Sequence, residues 1–443
     1  MPAKRFLKAD AYSIWLLPID LSPIADLSSN SNFSGVILME KNALWKQDKG
    51  WWTSAVNFLP EIKRSFSIAD RIIIHDATLR DGEQTPGVVF RKEEKVAIAR
   101  ELDLVGVDRI EAGMPAVSEE DESAVKEIVR LNLRAKIMVL CRALQADIDK
   151  AVDCGVWGIV IEAPCGVPRL KYQFNWTPEE VIKRSIECIN YAKNKGLFVA
   201  YFPYDTTRAD LVVLRKFITE VTAASNPDSI AIVDTNGCCL PEGIKFLIRE
   251  VRKLTHLPLE IHTHNDLGLS IANTLAAVEE GAEVVHVCIN GIGERCGNAA
   301  LEEIVVCLKC LLGISMERID FRRLYELSQL VSNAARMEVA GNKPVVGRLA
   351  FTRESGLGME VFTREPRVAF AIHPEFVGRK FEVVLGKKSG RQSIKVKLAE
   401  MGIEASDEIV GKILEEVKRL GIQKKSILSD QEFKEIVKNF CHR

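Results

Sequence analysis

The chain has 443 residues, 47% apolar and 27% charged, with a formal net charge of -1. That size and balance fit a large globular domain with smaller additions, and they exclude disorder. A near-neutral chain is not built for nucleic acid or a membrane surface, and no apolar run approaches the ~20 residues of a membrane helix.

In chain order, the N-terminal stretch MPAKRFLKADAYSIWLLPIDL is broken by Pro18 and Asp20, and it reads as no secretory signal. Residues 1–70 carry four of the six tryptophans, Trp15, Trp45, Trp51 and Trp52, and are expected to form an extra layer against the rest of the chain or a partner. From 71 to 315, apolar runs alternate with amphipathic segments. The expected strands are 71–76, 109–113, 135–140, 158–163, 197–202, 229–234, 257–264 and 283–289. Continuous rather than alternating apolar runs mark parallel strands covered on both faces. Eight β/α units in this length predict an α/β fold, a (β/α)8 TIM barrel. An open doubly wound sheet is the competing architecture; no GxGxxG follows the first strand to support it. Residues 316–443 read as a linker and small, mainly helical subdomains, with helices at about 393–420 and 428–441. Eleven scattered cysteines suggest reduced thiols and a cytoplasmic setting, and Cys307 and Cys310 fall on one helix rather than in a metal knuckle.

If the barrel is right, residues just after strand C-termini share one mouth. Arg80 and Asp81 follow the first strand and Glu111 ends the second. Tyr204 and Asp205 follow the fifth, Asp234 and Thr235 the sixth, His262 and His264 end the seventh, and Glu294 to Asn298 follow the eighth. His262 and His264 are two apart on a strand, so their imidazoles share a face. With Asp81 they make a two-histidine, one-carboxylate metal set, to which Asn298 adds an amide oxygen. Such a mixed set suits Mn²⁺, Mg²⁺, Co²⁺, Zn²⁺ or Fe²⁺ alike, and a cation there can polarise a chelated 2-oxo acid. Arg80 is placed to stabilise an alkoxide, and Thr235 to bond a substrate carboxylate.

The runs LRDGEQTPG, IEAGMP, VDTNG, HTHNDLGLSIANTLAAVEEGA and NGIGERCGNAALEE resemble the acyl-CoA-dependent 2-oxo acid condensing enzymes, the family of isopropylmalate, homocitrate and citramalate synthases. The resemblance covers about residues 70–390. It implies a metal-dependent TIM barrel, usually a homodimer, that joins acetyl-CoA to a 2-oxo acid in a Claisen condensation. Asp81, His262 and His264 map onto the family's metal ligands, Asn298 onto its nearby Asn, and Arg80, Gln84 and Thr235 onto its substrate-binding residues; Glu111 is placed with them. Mn²⁺ is the metal the resemblance favours.

Three departures stand out. Tyr204 occupies the position of a catalytic Glu in the family's Glu-Asp pair. Arg353 and Gly358 occupy two histidine positions of an HxSGIH pattern, and Ala369 stands where a tyrosine belongs. Asp205, Glu354 and His373 are the groups left to move the methyl proton, with Asp205 first. FPYDTTRAD, the N-terminal layer and the short C-terminus look most like the Re-face-specific citrate synthase branch. That implies oxaloacetate as acceptor and citrate and CoA as products, with Arg208 and Arg353 available to a second carboxylate. Homocitrate and 2-isopropylmalate synthesis are the alternatives, with 2-oxoglutarate or 2-oxoisovalerate as acceptor. A lyase of the hydroxymethylglutaryl-CoA type and a catalytically silent binding protein are the more distant readings. Lys387 and Arg391 are candidates for CoA.

Overall fold

Eight parallel strands close into a barrel in strict chain order, in a computed structural model that describes residues 43–441. They are β1 (Ile73–Asp76), β2 (Arg109–Glu111), β3 (Lys136–Arg142), β4 (Gly158–Pro164), β5 (Phe198–Tyr204), β6 (Ser229–Asp234), β7 (Leu259–Thr263) and β8 (Val284–Val287). Each lies inside or within two residues of the run expected from the sequence. Closure comes from β1 pairing with β8 over four residues, Ile73 opposite Val284 through Asp76 opposite Val287.

Odd and even positions of each strand go to different cores. Ile159 and Ile161 of β4 face the surrounding helices in the large outer cluster. Val160 joins Met138, Leu140, Ala200, Phe202, Ala231 and Val233 in a small cluster that fills the barrel. This two-residue alternation sends every second side chain inward and, at the strand ends, into the mouth. The surrounding helices begin where capping chemistry allows. Before helix Pro178–Asn194, Thr177 and Glu180 cap each other's backbone N–H groups at 3.3 and 2.7 Å, with Pro178 as the first helical residue.

Residues 43–70 of the N-terminal stretch are described. Trp51 is buried against Phe376, centroids 5.4 Å apart, and Thr53 Oγ1 donates to the Cys310 carbonyl. Trp15 lies outside the described residues. The C-terminal part differs from expectation. The helix expected over 393–420 is two, Arg391–Glu400 and Asp407–Lys424. The reason is Ser406, whose hydroxyl accepts the Ile409 N–H and starts the second helix afresh. These helices and Asp430–Cys441 share their own apolar core around Ile394, Val417 and Phe433. Cys307 and Cys310 sit on helix Leu301–Cys310, and every cysteine is free.

Candidate active site

Barrel closure carries the chemistry. β7 and β1 both flank β8, so His262 and Asp81 meet although 181 positions separate them. Past β1 the chain turns sharply: the N–H groups of Arg80, Asp81 and Gly82 all donate to the Ala77 carbonyl. Thr78 Oγ1 accepts the Ile289 N–H and pins the turn to the end of β8. Asp81 Oδ2 lies 3.5 Å from His262 Nε2 and 3.7 Å from His264 Nε2, and those two nitrogens are 3.3 Å apart. Ligands about 2.1 Å from a common ion are roughly 3.0–3.5 Å from each other, so this triangle fits a divalent cation. Burial lowers the pKa of His262 and takes His264 down to about 4, which keeps both imidazoles neutral and able to ligate. Burial opposes charge on Asp81 too, but the adjacent Arg80 and the two histidines hold its carboxyl well below the ordinary range.

Asn298 stands behind Asp81. Its Nδ2 donates to Asp81 Oδ1 at 2.9 Å, while its buried Oδ1 has no hydrogen-bond partner among the described residues. The approach is possible because Gly293, at φ +155°, crosses between them; a Cβ there would overlap the Asn298 amide and Asp81. A second histidine–carboxylate group, His75, His286 and Glu260, lies deeper in the barrel. Its imidazoles stack at 4.1 Å, and Glu260 already accepts from Arg109 at 2.7 Å and pairs with His286 at 2.6 Å. That group is internally neutralised, so the Asp81 cluster is the better cation site.

Arg80 is locked in place. Its Nε and Nη2 donate to Glu111 at 2.6 and 3.3 Å, and its Nη1 to Asp81 at 2.9 Å and Gln84 at 3.3 Å. Glu111 is fully buried and also faces His75 Nε2 at 3.3 Å. Despite burial, Arg80 and His75 bring its pKa down to about 2. Its oxygens are engaged by Arg80 and His75, and Glu111, expected to bind substrate, holds the arginine from behind and does not line the cavity around the Asp81 cluster.

Six of the nine expected site residues, Arg80, Asp81, Gln84, Thr235, His262 and His264, line one cavity of about 260 Å³. Asn298 and Glu111 support it from behind. Asp205 is elsewhere: it is fully buried, and its oxygens accept from Arg208 at 2.7 and 2.8 Å. Its backbone is left-handed at φ +64°, which swings the carboxylate out of the line of β5. Thr235 Oγ1 accepts the Asp205 N–H at 2.7 Å, tying the two loops together. Arg208 is thereby occupied. Arg353 lies over the Phe362 ring, Glu354 accepts the Lys388 N–H and His373 caps a short turn, all outside this cavity.

Five polar lining residues escaped the sequence reading of the site, or were left there without a role: Glu162, Arg169, Gln173, Tyr204 and Glu294. Glu162 had a signal, a lone acid in the apolar run GIVIEAP two positions after inward-facing Val160. Arg169 and Gln173 had none. They sit on one turn of π-type helix, Arg169–Phe174, whose place over the mouth only the fold reveals.

Comparison with known proteins agrees with this geometry. Residues 71–331 match the HMGL-like family, and residues 345–425 match the homocitrate synthase post-HMGL domain-like family. A homocitrate synthase from Methanopyrus kandleri is 40% identical over 382 residues, covering 86% of this chain and 96% of its own length. A 2-isopropylmalate synthase from Methanocaldococcus jannaschii is 41% identical over 379 residues, 85% of this chain and 73% of its own. In fold, the hydroxymethylglutaryl-CoA lyase from Pseudomonas aeruginosa is similar with a TM-score of 0.56 at 18% identity, covering 61% of this chain and 95% of that one. The chain belongs to the HMGL-like, metal-dependent acyl-CoA 2-oxo acid condensing barrels. It is an acyltransferase of the acetyl-CoA-dependent synthase type.

Proposed function

We propose that the protein condenses acetyl-CoA with a 2-oxo acid that carries a second carboxylate. The acceptor is 2-oxoglutarate, giving homocitrate, or oxaloacetate, giving citrate. The homocitrate synthase relative supports the first, and the FPYDTTRAD run the second. The observation that carries the reading is Arg169. It lines the same cavity as the Asp81–His262–His264 cluster, and its Nε is buried with no hydrogen-bond partner among the described residues. Its nearest carboxylate, Asp205, is 3.9 Å away and already neutralised by Arg208. An arginine with spare donors at the far side of the cavity from Arg80 suits the distal carboxylate of a dicarboxylic acid.

A divalent cation bound by Asp81, His262, His264 and Asn298, with Mn²⁺ preferred and Mg²⁺, Co²⁺ or Zn²⁺ as alternatives, supplies Lewis-acid polarisation of the ketone. The chain does the rest. Gln84 and Thr235 orient the proximal carboxylate. Arg80, fixed by three partners, meets the oxygen on which charge grows, without reorganising. We read the enzyme as a cytoplasmic homodimer, on the family resemblance and the free cysteines. We divide the chain into residues 1–70, 71–315 and 316–443.

CoA release from acetyl-CoA should require both metal and acceptor. It should be faster with 2-oxoglutarate or oxaloacetate than with 2-oxoisovalerate or pyruvate. A preference for 2-oxoisovalerate, the reading favoured by the isopropylmalate synthase relative, overturns the dicarboxylic acceptor.

A further inference from the structure

A Claisen condensation needs a base for the acetyl methyl, and the three groups expected for it, Asp205, Glu354 and His373, all lie outside the cavity. Tyr204 is a phenol whose pKa burial raises, and Asp205 is sealed against Arg208 outside the cavity. One carboxylate stands in the right place. Glu162 is the fifth residue of β4, in register with Phe202 of β5, whose ring lies 5.3 Å from that of His262. Inward-facing Val160 precedes it by two, so Glu162 points into the mouth.

Its position is distinctive because two cavities meet there. One is the 260 Å³ cavity of the metal cluster. The other, of about 380 Å³, opens beside it and is lined by Leu144, Phe174 and Trp176, with Arg142 and Arg184. Glu162, Gln173 and Tyr204 form the wall shared by both. Among the described residues, no hydrogen bond or ion pair engages the Glu162 carboxylate, unlike Glu111 and Asp81. Burial raises its pKa while Arg80 pulls the other way, and the net direction is up, which strengthens it as a base.

We propose that Glu162 is the base that removes the methyl proton of acetyl-CoA, with the thioester end in the second, more apolar cavity and the 2-oxo acid in the first. The methyl C–H bond breaks, its proton passes to the Glu162 carboxylate, and its electron pair becomes the enolate. The enolate carbon forms the new C–C bond to the ketone carbon, and the ketone π pair moves onto oxygen beside Arg80. The alkoxide takes up the proton that Glu162 removed, and water then cleaves the thioester, its OH going to the acyl carbon and its remaining proton to the sulfur of the departing CoA. This inference rests on the condensation reading above.

The test uses the metal-loaded enzyme with its best acceptor. Glu162→Gln should lower kcat by about a thousandfold, with KM for both substrates nearly unchanged. Glu162→Asp, which moves the carboxylate back, should slow proton transfer enough that trideuteroacetyl-CoA reacts more slowly than acetyl-CoA. A Glu162→Gln enzyme within tenfold of wild-type kcat overturns the proposal. So does a slow Glu162→Asp enzyme with no isotope effect, and that variant decides the matter if Glu162→Gln does not fold. Wild-type protein that releases no CoA with any 2-oxo acid would instead sink the condensation reading itself.

Discussion

The two sides of the barrel mouth are built differently. On the β1–β7–β8 side, polar groups interlock: Arg80 has Glu111, Asp81 and Gln84, and Asp81 has Arg80 and Asn298. On the β4–β5 side, no hydrogen bond or ion pair engages the Glu162 carboxylate among the described residues, and Tyr204 brings a phenol to the wall. Arg169 bonds only Gln173, at 2.9 Å, with its Nε left over. Interlocking removes reorganisation from the step where charge develops. Looseness leaves groups free to meet a substrate. On the reading proposed above, the interlocked side holds the cation and polarises the ketone, and the looser side supplies the base and chooses the acceptor.

The sharpest way to break this contrast is at the metal side. Asp81→Ala or His262→Ala should cost several kcal/mol of transition-state stabilisation, about 10³–10⁴ in kcat/KM. Titration with Mn²⁺, followed by electron paramagnetic resonance, should show the loss of tight binding. Next comes Arg80→Lys. The charge survives, but an ammonium cannot span Glu111, Asp81 and Gln84 together, so kcat should fall by about 10²–10³. If either variant kept wild-type kcat, the interlocked side would be scaffolding only.

The same contrast explains what was legible in the sequence. Strand positions were readable because parallel strands buried on both faces leave long apolar runs, and the barrel followed from their number. Asp81, His262 and His264 were readable because short polar motifs at strand ends project to one mouth in any such barrel. Asp205 was misplaced because position relative to β5 says nothing about a left-handed backbone at φ +64° or about capture by Arg208 three residues on. Glu111 was assigned to substrate because its strand end marks the mouth but not the depth within it. Arg169 was invisible because its turn of helix reaches the mouth by tertiary packing, which no local pattern encodes.

On the looser side, Arg169→Leu should raise KM for a dicarboxylic acceptor by about 10- to 100-fold, the worth of one charge-assisted pair. KM for pyruvate, which has no second carboxylate, should hardly move. Equal losses for both acceptors would mean that Arg169 shapes the mouth without reading the substrate.

The smallest effect belongs to a group behind the interlocked side. Glu302, at the start of the helix after β8, is fully buried, and burial raises its pKa to about 7, with Lys343 pulling the other way. One of its oxygens accepts the Asn290 N–H at 3.1 Å, and the other has no hydrogen bond among the described residues and lies 3.8 Å from Lys343 Nζ. In the unfolded chain its pKa returns to the ordinary glutamate value. Between that value and 7 the folded state therefore binds more protons than the unfolded state, and stability falls as pH rises. The contribution of Glu302 is complete below the unfolded pKa and is lost as pH climbs through 7. Glu302→Gln carries no titrating proton but keeps the amide oxygen for Asn290. Its stability relative to wild type should rise with pH from 5 to 7, by up to about 1 kcal/mol per pH unit, and level off above. Urea denaturation at several pH values measures this directly. Parallel wild-type and Glu302→Gln curves would mean that the carboxyl stays ionised in the folded protein, with Lys343 outweighing burial.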